Sequence, residues 1–173
     1  MQENSRQPKD DPVFESRKLE LMREIVSKMD DSTTKEYLNN RFLRAVDYYG
    51  TESKKHKRHY LCLSIVSLSV TALIPVVSIF ADGGIWMKAL IALLGSAVTF
   101  VNSYLLLMNS KNLWIMHRTA RESLIALFYQ YYCKTGSFKN LSDNERGEKL
   151  VEKGDDIING VMNSWQDMVS AEE

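Results

Sequence analysis

The sequence predicts an all-α membrane protein: a two-span transmembrane helical hairpin with long cytoplasmic helical extensions, assembled as an oligomer. Tyr60–Ala81 (YLCLSIVSLSVTALIPVVSIFA) runs for 22 residues without a charged side chain, and Ala89–Ser110 (ALIALLGSAVTFVNSYLLLMNS) runs for another 22. Between Tyr60 and Ser110 only Asp82 and Lys88 are charged. A bilayer core about 30 Å thick takes roughly 20 apolar residues of helix, whereas apolar runs of about 10–14 belong to buried core helices. The flanking charge is the second observation. KKHKRH (Lys54–His59) precedes the first run, Lys111, His117, Arg118 and Arg121 follow the second, and the connector ADGGIWMK (Ala81–Lys88) is neutral. Lys and Arg accumulate on the cytoplasmic side, so both termini are expected in the cytoplasm, with Tyr60 and Trp86 as interfacial aromatics.

The elements follow in chain order. Residues 1–12 are polar, contain Pro8 and Pro12, and are expected to be disordered. Residues 13–58 read as cytoplasmic helices. In the first, Leu19, Met22, Val26 and Met29 recur at helical spacing until DDST (Asp30–Thr33) stops it. Thr33 with Glu36 predicts a capping box for the second, in which each side chain reaches an unpaired backbone amide. That helix puts Leu38, Phe42, Ala45, Val46 and Tyr49 on one face; Gly50 either breaks it or is passed on the way into the membrane. Residues 59–134 form the hairpin and a cytoplasmic extension of its second helix. The helical pattern continues through Trp114, Arg118, Arg121, Glu122, Leu124, Leu127, Phe128 and Tyr131, predicting one helix from about Ile85 to Lys134, ended by Gly136. At about 1.5 Å per residue that helix is roughly 75 Å long. Residues 139–173 form the last helix, with a capping box at Ser142 and Glu145 and one face of Leu150, Ile157, Val161, Trp165 and Met168 that includes Gly154. Its spacing suits packing in a bundle more than a coiled coil between subunits.

Twenty-two Lys and Arg balance 22 Asp and Glu, which leaves no global field to attract nucleic acid directly. No glycine-rich phosphate loop, HExxH, CxxC or histidine–carboxylate set at ligand spacing is present, so the reading is of a non-enzyme without cofactor or metal. Cys62 and Cys133 stand at unrelated positions and make no disulfide framework; they fit a reduced cytoplasmic or inner-membrane setting. The first apolar run begins near residue 60, behind a polar N-terminus, which argues against a cleaved signal peptide. His56, His59 and His117 belong to basic flanks more readily than to a pH sensor.

Polar residues inside the apolar runs carry the most information. Ser64, Ser67, Thr71 and Ser78 share one helix face with Pro75, and Ser96, Thr99, Ser103 and Ser110 share another, with Asn102 and Asn109 alongside. Small hydroxylated residues let helices pack closely and hydrogen-bond across the contact. Asparagine is harder to explain that way, because an amide facing lipid must find a partner or water. Two spans cannot enclose a channel, so a water-lined face requires several copies. On this pattern alone packing and pore stand level. Pro75 has no amide proton to offer the Thr71 carbonyl, which predicts a kink, relieved by the Thr71 hydroxyl or a neighbour, and a candidate hinge. Lys54, Lys55, Lys57 and Arg58, with Arg118 and Arg121, are candidates for a basic surface facing a ligand; attraction to anionic headgroups, about 1 kcal/mol per basic residue, is the simpler reading.

RFLRAVDYYGTESKKHKRHYLCLSIVSLSVTALIPVVS (Arg41–Ser78), NLWIMHRTARESL (Asn112–Leu124) and YYCKTGSF (Tyr131–Phe138) together resemble the SLATT superfamily of two-span bacterial membrane proteins, in a branch long catalogued as a domain of unknown function. The resemblance covers about Tyr37–Phe138. It rests on an Arg-Phe helix entering the membrane, ALIPV (Ala72–Val76) closing the first span, and Trp114, Arg118 and Glu122 four residues apart. An acidic residue often found one turn beyond the Glu122 position is absent here, where IALFYQ follows. The resemblance implies a pore-forming effector of a bacterial antiphage or conflict system that oligomerises in the inner membrane and permeabilises it. It implies as partners a nucleotide-signal synthase, a nucleotide sensor or a reverse transcriptase. It tips the polar faces towards pore. The alternative is a non-conducting membrane anchor or scaffold whose cytoplasmic helical bundle recruits a partner protein.

Overall fold

A computed structural model of the chain describes the backbone of residues 12–79 and 84–170, all of its regular structure helical. The segment expected to be disordered lies, except for Pro12, outside the described residues, as does the Ala81–Gly83 part of the connector. The elements are α1 (Pro12–Ser27), α2 (Ser32–Tyr37), a π-helical turn (Leu38–Phe42), α3 (Leu43–Ile79), α4 (Ile85–Leu107), α5 (Ser110–Tyr132), a 3₁₀ turn (Gly136–Phe138) and α6 (Asp143–Ser170). From α2 through α3 the helix is continuous over Ser32–Ile79, 48 residues, or roughly 72 Å at 1.5 Å per residue. Gly50 does not break it.

Three sequence expectations about helix ends are corrected. The N-cap of α2 is Asp31, whose carboxylate accepts from the Thr33 amide at 3.1 Å. Thr33 therefore lies within the first turn rather than at its cap, and an anion is the better group there because it also faces the positive end of the helix dipole. The helix expected from Ile85 to Lys134 is broken at Met108–Asn109, where Asn109 adopts φ 45°. At the C-terminus of α5, Lys134 rather than Gly136 takes the left-handed position (φ 55°), and Thr135 N–H bonds Gln130 O while Lys134 N–H bonds Tyr131 O. That pair of bonds is the Schellman closure. Gly136, also left-handed at φ 57°, starts the 3₁₀ turn instead. The box at Ser142 and Glu145 forms as expected: Ser142 N–H donates to Glu145 Oε2 at 2.8 Å, and Glu145 N–H to Ser142 Oγ at 3.4 Å.

The described chain divides into two compact units, one running to Gly50 and resuming at Arg118, the other Thr51–His117. The first is a helical bundle with an apolar core. Leu19, Met22 and Val26 of α1, Leu38, Phe42, Leu43, Val46 and Tyr49, Leu124 and Phe128 of α5, Phe138 and Leu150 are buried together. Full burial of such side chains contributes about 1.5–3 kcal/mol each. Phe42, at the end of the π turn, and Leu43, at the start of α3, are both buried. Ile157 and Val161 pack at the edge of this core, but Trp165, expected on the same face, is 51% exposed; the Met168 side chain lies outside the described residues.

Polar contacts tie helix α6 to the end of α2 and to the π turn. Tyr37 OH donates to Asp155 Oδ1 at 2.9 Å, and Arg41 Nε meets the same oxygen at 2.7 Å. Gly154 allows that approach: a Cβ there would lie 2.6 Å from Tyr37 OH and 3.3 Å from the Phe42 ring.

Candidate functional site

The second unit holds most of the sequence-predicted site residues. Its two apolar stretches are barely covered by the chain itself: 6% of the most apolar window of the first and 0% of the second are buried. Leu68, Ile79, Phe100 and Leu106 are each more than 70% exposed. A core helix of a folded soluble chain would show the opposite.

Of the nine polar candidates in the two apolar stretches, only Ser67 is buried. Its hydroxyl donates to Asn102 Oδ1 at 3.0 Å, joining α3 to α4. Thr71 Oγ1 donates to the Ser67 carbonyl (2.8 Å), Ser96 Oγ to that of Ala92 (2.9 Å) and Thr99 Oγ1 to that of Gly95 (3.0 Å). These back-bonds one turn towards the N-terminus satisfy each hydroxyl within its own helix. The Thr71 hydroxyl is thus engaged with Ser67 and does not compensate the bond Pro75 removes; α3 continues through Pro75 to Ile79. Ser64 is half-buried; Thr71, Ser78, Ser96, Thr99, Asn102 and Ser103 are exposed. Asn109 lies apart from this set, in the break after α4. Its carbonyl accepts from the amides of Asn112 and Leu113, and its Oδ1 accepts from Asn112 Nδ2 at 2.7 Å. Asparagine tolerates the left-handed conformation better than most residues, which is why the chain can turn here.

Before the first apolar stretch and after the second, α3 meets the start of α5 through groups that sequence reasoning did not pair. His56 and His117 stack with ring centroids 5.9 Å apart, and Glu52 faces His56 at 3.6 Å. Lys57 Nζ lies 5.6 Å from the Trp114 ring centre, and Ser53 Oγ reaches the Trp114 carbonyl at 3.5 Å. Burial, and then the neighbouring His56, push the His117 pKa down, while Glu52 opposes them. In sequence these partners stand about 60 residues apart and share no motif; the basic run hid them. Lys54, Lys55 and Arg58 are exposed. In the other unit, Arg118 is half-buried and Arg121 is buried, its guanidinium packed so closely on Gly50 that a Cβ there would meet Nε at 2.7 Å. Arg121 is therefore no part of an exposed basic surface on this chain, and its burial pushes its pKa down. Among the described residues no group of His, Cys, Asp or Glu is placed to hold a metal ion.

These residues define a helical protein with two helices long and apolar enough to cross a membrane, joined by a polar contact and flanked by basic groups. A family model described as a protein of unknown function (DUF4231) matches residues 44–146, more than half of the chain, and the chain belongs to that family. The matched stretch takes in both apolar helices and all of α5, and leaves out α1, α2 and most of α6. No curated protein and no solved structure matches the chain.

Proposed function

We propose that this chain is a bacterial inner-membrane effector of the SLATT type, crossing the membrane twice with both termini in the cytoplasm. It assembles with further copies into an ion-conducting pore that opens on a nucleotide-linked or partner-sensed cue in antiphage conflict. The observation that carries this reading is Asn102. Its Oδ1 is bonded to Ser67, but its amide Nδ2 has no acceptor among the described residues, and the residue is exposed within the second apolar stretch. In hydrocarbon an unsatisfied amide is expensive, so a neighbouring copy or water must meet it. Thr99 and Ser103 lie one turn before it and beside it on the same exposed stretch.

A second reading, the non-conducting anchor whose cytoplasmic bundle recruits a partner, draws on a separate observation. Ser67–Asn102 lies within one chain, and the hydroxyls of Thr71, Ser96 and Thr99 are already satisfied by their own helices. The two readings part on whether ions move. Regulated overexpression with a voltage-sensitive dye is expected to depolarise the cell. Asn102→Leu should reduce the signal at equal membrane level, because apolar surface at a constriction favours dewetting. Polarised, healthy cells at full membrane levels of the wild-type chain would leave the anchor.

A further inference from the structure

The run KKHKR reads as one basic cluster, but its side chains have different company. Lys57 turns to the Trp114 ring, and Lys55 lies 3.6 Å from Glu52. Lys54 and Arg58, one helical turn apart, are exposed and face no carboxylate among the described residues. With Lys55, His59 and Cys62 they line an open concavity of about 490 Å³ on α3. Its cytoplasmic end is cationic. At the other end, beyond Cys62, the same helix face continues as the exposed apolar side chains Ile65 and Val66.

We propose that this face binds the phosphodiester headgroup of an anionic membrane lipid, with Lys54 and Arg58 holding the phosphate and an acyl chain lying along Ile65 and Val66. The site rests on the membrane location proposed above, though not on conduction. The depth suits a headgroup. Arg58 precedes Tyr60, the first residue of the uncharged run, by two residues, about 3 Å of helix, and Lys54 by six, about 9 Å. The polar layer on each side of a bilayer core is about 5–8 Å thick, which puts Arg58 within it and Lys54 at its outer edge, where a long side chain reaches back. The charge pattern is right as well: two uncompensated cations suit a phosphate, and Arg supplies a forked donor pair that a diffuse field does not need. A soluble phosphate ester shares the headgroup chemistry but has nothing to place on Ile65 and Val66, and so the lipid is the expected occupant.

The test offers equimolar phosphatidylglycerol and phosphatidylcholine to the full chain in detergent and counts bound lipid by native mass spectrometry. Wild type is expected to retain phosphatidylglycerol selectively. Lys54→Gln and Arg58→Gln should each weaken that retention roughly fivefold, whereas Lys54→Arg and Arg58→Lys should keep most of it. Lys111→Gln, a cation beside the other span, should change it little. Equal loss in Lys111→Gln would reduce the effect to general surface attraction and overturn the site, as would equal retention of the two lipids. Displacement by the acyl-free headgroup glycerophosphoglycerol at the concentration of the lipid itself would reassign the site to a soluble phosphate ester. Alkaline extraction of membranes from the same cells separates the two levels. If wild type and variants stay in the membrane but bind lipid alike, only the lipid site fails; if the chain is extracted, the membrane location fails with it.

Discussion

At His117 two influences lower the pKa, burial first and the stacked His56 second, with Glu52 working against them. The ordinary value is 6.5, so the folded value lies below it and the unfolded chain takes up a proton that the folded chain refuses. Stability then falls as pH drops from about 6.5 towards the folded value, and the penalty is constant below that. One proton gives a slope of at most about 1.4 kcal/mol per pH unit. Thermal unfolding of the full chain in detergent is expected to show the loss over that window, and His117→Gln should flatten it. If the variant keeps the wild-type acid slope, the sensitivity lies in the carboxylates. The pairing of His56 with His117 was not legible beforehand. A histidine in KKHKRH looks solvated until the chain returns 60 residues later to cover it.

At the scale of elements, what was legible is what depends on neighbours within one turn or two. The apolar faces of α1 and α2–α3 came out as their spacing required, with Leu19, Met22 and Val26 and then Leu38, Phe42, Val46 and Tyr49 buried. The Ser142–Glu145 box is a three-residue device and formed. The break at Asn109 was missed because Leu105–Met108 and Leu113–Met116 keep a helical hydrophobic rhythm across it, although NSKN (Asn109–Asn112) is a turn-like polar quartet. Asn109 at φ 45° makes a sharp claim. Asn109→Gly should be tolerated, whereas Asn109→Val should cost about 1–2 kcal/mol, because a β-branched side chain is strained in the left-handed region. Comparable melting temperatures for the two variants would show that the junction can straighten. Gly154 carries the other prediction. Alanine in a helix interior is normally worth up to about 1 kcal/mol over glycine. Here the added methyl must displace a tyrosine hydroxyl held by Asp155 and press on Phe42. Overpacking of that kind costs about 1–3 kcal/mol, so Gly154→Ala is expected to lower stability, read as an earlier chemical-denaturation midpoint. Tyr37→Phe combined with Gly154→Ala should recover part of the loss, since it removes the atom in the way.

For the whole molecule the decisive quantity is the apolar surface that its own chain leaves uncovered. Leu61, Ile65, Val66, Leu68, Leu73, Val76 and Ile79 on α3, and Ile85, Trp86, Leu90, Leu93, Phe100, Leu106 and Leu107 on α4, are all exposed. Single exposed apolar residues are ordinary, but a continuous field of them exceeds what soluble monomers present to water. Lipid covers such a surface at no cost, and it is the surface the family model retains while dropping α1 and most of α6. For the proposed membrane location, the flanks predict an orientation. Lys54, Lys55, Lys57 and Arg58 stand before the first apolar run and Lys111 and Arg118 after the second, whereas the described part of the connector offers Lys88 alone. Because basic residues resist translocation, the connector should face outward and both ends inward. A reporter active only outside the cytoplasm is expected to be silent when fused after Glu173 and active when inserted within Ala81–Lys88. Neutralising Lys54, Lys55, Lys57 and Arg58 together while adding three lysines to the connector should invert or mix the two signals. An active C-terminal fusion on the unmodified chain would overturn the orientation. An unmoved pattern in the charge-swapped chain would show that the folded helical bundle, rather than the flanking charge, decides which side it occupies.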